Sequence, residues 1–189
     1  MALRLKIPIN STLTSSVRAL GVLLAVLIVT SAGGCDRGFR IFANDQLTPK
    51  EQELAAELKG PTNTYLEQKL GEKGFGGKTF CAHKVFGIDQ SGDQIHTYIY
   101  AVCQEYYLKG QDLTKGTGLA LPAALFVQKN GAQYRVVSHE TPGDGARFSA
   151  DVERLFPPNI RKQIYSAPLN NASIRSEVEN QAKQYFHVG

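Results

Sequence analysis

The sequence predicts an α+β fold: N-terminal helices, a four-stranded antiparallel sheet of two hairpins, and C-terminal helices. Three observations lead there. Residues 79–89 and 94–108, rich in β-branched and aromatic side chains, flank a Gln-Ser-Gly-Asp turn. Residues 119–129 and 133–140 flank Asn130-Gly131-Ala132, and Asn-Gly is the strongest short hairpin signal. Segments of helical period stand before the first pair and after the second. Strands segregated from helices imply an antiparallel sheet covered on one face.

The first helix opens at Thr48, a good N-cap, with Pro49 at the first helical position and Glu51 completing a capping box. Leu54, Ala55 and Leu58 share a face, and Gly60-Pro61 is expected to stop the helix. A second short helix is expected from Thr64, with Leu66 and Leu70 as its apolar contacts and Gly71 as its end.

Gly-Glu-Lys-Gly-Phe-Gly-Gly-Lys-Thr-Phe (71–80) resembles a phosphate-binding loop. The pattern G-x-x-x-x-G-K-[ST] needs glycine five residues before Gly77, where this chain has Glu72. The context is also reversed, because a phosphate loop leaves a strand and opens a helix. The stretch therefore reads as a glycine-rich helix-to-strand connection.

In the first hairpin, a turn centred on Gly92 places Cys81 opposite Cys103, Val85 opposite Ile99 and Phe86 opposite Tyr98. Both sulfurs then lie on one face at a separation that suits a disulfide; the alternative is two buried reduced thiols. Residues 109–118 read as a polar loop. In the second hairpin, a two-residue Asn130-Gly131 turn sets Val127 opposite Tyr134 and Leu125 opposite Val136. Pro122 cannot donate to a ladder, so its strand starts late or has an edge there.

Ser149 is expected to cap the next helix, Pro157-Pro158 to interrupt it, and Pro158 to start another. In the last segment Ile174, Val178, Ala182 and Tyr185 recur at helical spacing. Asn171-Ala172-Ser173 matches a glycosylation sequon, for which helix capping is the plainer reading. The helix-then-sheet order resembles cystatin-like and NTF2-like modules, and residues 106–164 are similar to uncharacterised secreted bacterial proteins; neither resemblance implies a chemistry.

The chain has 189 residues, 42% of them hydrophobic, which is enough for one domain with a real core. Of its net charge of +4, three charges are Arg4, Lys6 and Arg18, with no acid before residue 35. The near-neutral remainder carries no basic run, which disfavours nucleic-acid binding. The N-terminal cations precede an apolar run, residues 19–29, and then Thr-Ser-Ala-Gly-Gly-Cys. A positive flank, a short apolar stretch and small residues describe an export signal. An uncleaved membrane anchor is the alternative.

Ala32-Gly33-Gly34-Cys35 resembles the lipobox of bacterial lipoproteins, with alanine where leucine is usual. That resemblance implies a signal peptide over 1–34, a lipidated Cys35 bearing acyl chains such as palmitate, and a tether over 35–46. A single α+β domain over 47–189 would then stand on the extracytoplasmic face of a cell membrane. Asp36 resembles the inner-membrane retention signal of some of these proteins. With Cys35 lipidated, Cys81 and Cys103 remain as an even pair in an oxidising compartment.

No catalytic, metal-binding or cofactor-binding set emerges. His83, His96, His139 and His187 are scattered, and Asp89, Asp93, Asp112 and Asp144 lack calcium-loop spacing. Cys81 and His83 share a strand face, but a disulfide would remove the nucleophile. The candidate binding face is a stripe, His96, Tyr98, Tyr100 and Tyr106, opposite a core side of Ile95, Ile99, Ala101 and Cys103. The alternative is that helices cover the stripe. The expected function is a non-enzymatic, lipid-anchored binding or accessory protein with a protein or small-molecule partner. Alternatives are a small hydrolase or thiol-dependent enzyme outside the cytoplasm, or an inhibitor or immunity-type protein.

Overall fold

Thr48 and Glu51 close the capping box that starts α1 (Pro49–Lys69): the Thr48 amide donates to Glu51 Oε2 at 2.7 Å, and the Glu51 amide donates to Thr48 Oγ1 at 3.4 Å. The structure is a computed structural model that describes residues 47–166 and 172–188. The expected signal peptide, Cys35, the tether to residue 46 and Asn171 of the sequon lie outside the described residues.

The two expected N-terminal helices are one. α1 runs through Gly60-Pro61 for 21 residues. An interior proline removes a helical hydrogen bond and costs about 3 kcal/mol. That cost is met by burial on both sides of it. Leu54, Leu58, Thr62 and Leu66 form one buried stripe across Pro61. Each fully buried leucine contributes about 1.5–3 kcal/mol.

The sheet is a meander in the order β1-β2-β3-β4, all antiparallel. Its strands are β1 (Lys78–Ser91), β2 (Gln94–Lys109), β3 (Asp112–Asn130) and β4 (Gln133–Glu140). Residues 109–118 are not a loop: Lys109 pairs with Asp112, and a tight turn at Gly110-Gln111 joins β2 to β3. The segment is polar because its strands run out beyond the core, not because it lacks pairing. All three hairpins place glycine as the first central turn residue, Gly92, Gly110 and Gly131, at φ 60°, 67° and 60°. An L side chain is strained there, and the resulting turn matches strand twist.

This turn rule corrects both registers. In the first hairpin the turn is Gly92-Asp93, so Gly87, not Phe86, pairs with Tyr98. A bulge at Phe86 then restores the expected pairs, Val85 with Ile99 and Cys81 with Cys103. The two sulfurs are bonded at 2.01 Å, with their Cα atoms 4.2 Å apart. In the last hairpin the turn is Gly131-Ala132, so Val127 pairs with Val136. A bulge at Val137 then sets Leu125 opposite His139. Pro122 pairs with Tyr100 across β2, but β4 reaches β3 only from Ala124 onward. Pro122 therefore sits where β3 is an edge, as a residue without an amide proton should.

Both faces of the sheet are covered, not one. α1 packs its leucines on Cys81, Ile95, Ile99, Ala101, Cys103 and Leu125. The opposite face is closed by α2 (Phe148–Leu155), α3 (Pro158–Ser166) and α4 (Ala172–Phe186), which bring Val152, Phe156, Ile160, Ile174, Val178 and Ala182 onto it. Pro158 begins α3 as expected. Ser149 is not a cap. It lies within α2, after a 3₁₀ turn at Gly145–Arg147, and its hydroxyl is 3.1 Å from Tyr165 Oη. Ile174, Val178 and Ala182 are buried as their spacing predicts, whereas Tyr185 is exposed and lies under Lys78 Nζ, 4.4 Å from the ring centroid.

The free edge of β1 is polar-capped. Gln181 Nε2 donates to the Cys81 carbonyl at 3.4 Å, and Gln163 Nε2 to the Phe86 carbonyl at 3.2 Å. Lys59 and Glu177 meet at 2.9 Å and tie α1 to α4. These contacts blunt an edge that would otherwise invite another strand.

Candidate functional site

The tyrosine stripe is interior. Tyr98, Tyr100 and Tyr106 are 8%, 4% and 3% exposed beneath the C-terminal helices, so they present no open surface. Tyr98 donates to Asp89 Oδ2 at 3.0 Å; burial first, then that carboxylate, pushes its pKa up to about 12. Burial, with Glu179 nearby, likewise pushes Tyr106 up to about 12. His96, the fourth member, stays exposed and packs edge-on against Phe126 at 4.7 Å. The stripe went wrong because α2, α3 and α4 together cover a face that strand alternation alone leaves open.

The glycine loop proves to be an anion cradle whose anion is internal. Glu105, on β2, is fully buried. Its carboxylate accepts from the amides of Gly74 (2.9 Å), Phe75 (3.1 Å), Gly77 (2.7 Å) and Thr117 (3.2 Å), and from Thr117 Oγ1 (2.9 Å). Burial pushes the carboxyl pKa up, but the donors from Gly74, Gly77, Thr117 and Phe75 outweigh it and hold it down at about 2. Close approach dictates glycine opposite: a Cβ on Gly116 would stand 2.5 Å from Glu105 Oε2. The resemblance to a phosphate loop thus has a physical basis, a run of amides converging on a negative charge. The site is already filled.

The histidines do different things. His83 Nδ1 lies 2.7 Å from Asn63 Oδ1 on α1, and burial lowers its pKa to about 4, with Glu177 opposing and Lys59 adding to the shift. Among the described residues, no three His, Cys, Asp or Glu side chains group as metal ligands.

His139 belongs to a groove between α1 and β4. Its Nδ1 is 3.0 Å from Tyr65 Oη, and the two rings meet edge-on at 5.6 Å. The adjoining depression, about 500 Å³, is lined by Tyr65 and Lys69 of α1 and by Tyr134, Arg135 and Val137 of β4. Lys129 Nζ lies over the Tyr134 ring at 5.3 Å. Burial and then Lys69 lower the His139 pKa, while burial raises that of Tyr65. Both are therefore neutral near pH 7, and the charge lining the depression comes from Lys69 and Arg135, with Lys129 over the Tyr134 ring and Glu57 further along.

Comparison of the chain with protein-family models, curated proteins and solved structures found no match.

The Lys69 and Arg135 cations and the Tyr65 phenol that line the depression can attract an anionic group and hydrogen-bond it, with His139 holding the phenol from behind. Sequence reasoning missed it because Tyr65 and His139 are 74 positions apart. Turn placement alone would not have found it either. A turn at Gly131-Ala132 carried on in register sets Leu125 opposite Ser138, and only the bulge at Val137, which no sequence signal marks, brings His139 opposite that core residue. Glu105 was missed because an acid in an apolar strand run reads as an outward residue until its donors are seen.

Proposed function

We propose that the chain is a lipid-anchored, extracytoplasmic binding protein without catalysis of its own, and that its ligand enters the α1–β4 groove through a carboxylate or similar anionic group. The groove's combination of Lys69, Arg135 and the Tyr65–His139 pair is the observation that carries the reading. The lipobox-like Ala32-Gly33-Gly34-Cys35 supports the anchor, and the Cys81–Cys103 disulfide supports an oxidising compartment. Among the described residues no helix is long and apolar enough to cross a membrane. The thiol-dependent alternative has no free thiol to use there, because Cys81 and Cys103 are bonded to each other and buried.

Two measurements test the parts separately. Intact-mass analysis of the protein from its native membrane should show Cys35 as the acylated first residue; an unmodified Cys35, or a retained leader, refutes the anchor. Titration of the full chain with short acidic peptides, and with basic peptides of equal length, should show binding of the acidic set alone. That binding should be lost in Lys69→Glu/Arg135→Glu. Equal binding of both sets, or of neither, refutes the groove.

A further inference from the structure

The Glu105 cradle fixes more than its own loop. Phe75, which gives its amide to the carboxylate, holds its ring outward at 60% exposure, stacked on Tyr107 with centroids 5.4 Å apart and planes 5° from parallel. Beside it the β2–β3 hairpin runs past the start of β1, since Lys78 pairs with Tyr106 and the strands continue to Lys109 and Asp112. That projecting end exposes Leu108 at 43%. The two apolar side chains therefore stand at one end of the sheet, on a loop and a hairpin turn. Glycine-rich surface loops are ordinarily among the more mobile parts of a chain. This one is pinned by a fully buried carboxylate, and the residue it orients toward solvent is a phenylalanine.

We infer that this tip, Phe75 with Tyr107 and Leu108, is a second contact with the membrane, which enters the interfacial layer of a phospholipid bilayer while neighbouring lysines reach the phosphates. Lys73, Lys78, Lys109 and Lys115 lie at this end with Lys183, against Glu72, Asp112 and Glu179, the last shared by Lys115 at 3.6 Å and Lys183 at 3.1 Å. With the ionised Glu105 beneath the loop counted, these five lysines leave a balance of one positive charge, and its outward cations are lysines, whose long stems lie along apolar surface while the ammonium seeks phosphate. Protein interfaces are depleted in lysine and favour arginine, so a lysine-flanked apolar tip suits a lipid surface better than a protein partner. The inference rests on the membrane-anchored reading above and goes beyond ligand binding in the groove; bromolipid quenching at the tip and the intact mass of Cys35 fail independently of one another.

The chain contains no tryptophan, so single reporters are available. The full-length Phe75→Trp and Leu108→Trp variants would be reconstituted into phosphatidylcholine vesicles containing phosphatidylglycerol, with and without brominated acyl chains. Tyr134→Trp, in the groove, serves as the reference. The expected result is blue-shifted emission at 75 and 108, with bromolipid quenching about threefold or more above that at 134. The quenching should fall to the reference level when Lys73→Glu and Lys109→Glu are added. Water-like emission at both tip positions, accessible to iodide and indifferent to bromolipid, overturns the inference. So does equal quenching at 134, which would mean that the body has no preferred contact.

Discussion

The amide of Gly77 lies 2.7 Å from Glu105 Oε1, and this contact ties the glycine loop to the middle of the sheet. It sets the first prediction. Glu105→Ala leaves the donors of Gly74, Phe75, Gly77 and Thr117 without their acceptor, so the thermal midpoint should fall by several degrees. Formate or acetate should restore part of that loss in the Ala variant and do nothing for the native chain. Failure of rescue would mean that the loop collapses when the carboxylate is gone.

The same carboxylate has a pH signature. Its folded pKa of about 2 lies below the ordinary value of 4.5, so its contribution to stability is complete above 4.5 and is lost as pH falls toward 2. Glu105→Gln should be less stable at pH 7, and its urea midpoint should change less across that window than the native one. Parallel curves would contradict the assignment.

His83 acts at higher pH with the same sign. Buried against Asn63, it has a folded pKa near 4 against an ordinary 6.5. Its stabilisation is full above 6.5 and disappears as pH falls toward 4, amounting to about 3 kcal/mol at the limit. His83→Gln should flatten the urea midpoint between those pH values. An unchanged slope would mean that the imidazole is hydrated when it protonates.

Pro61→Ala restores a helix hydrogen bond within α1 and should stabilise the domain by about 1 kcal/mol or more, measured by chemical denaturation. A loss of stability would show that the proline ring, which also lines the groove, packs more usefully than alanine.

The local signals in the sequence were sound where local chemistry decides. Thr48 and Glu51 named the helix start, Ile174, Val178 and Ala182 named the inner side of α4, and Cys81 and Cys103 met as alternation required. The last of these held because the bulge at Phe86 cancelled a one-residue error in the turn. What escaped was decided at long range. Burial of Leu58 and Leu66 carried α1 through Pro61. Amides 28 to 31 positions away made Glu105 a core residue. Three helices that no strand pattern announces turned the tyrosine stripe into core, and the candidate surface moved to the α1–β4 groove.

The most direct test of that groove is the titration of His139, followed by its ring proton resonances in the full chain. Free, it should titrate below an ordinary histidine, because burial and Lys69 disfavour its charge. A short acidic peptide should raise that pKa, since an anion beside the ring favours the imidazolium, while His83 stays unchanged. A His139 titration that does not move at saturating peptide, or a shift confined to His96 or His187, would contradict the account.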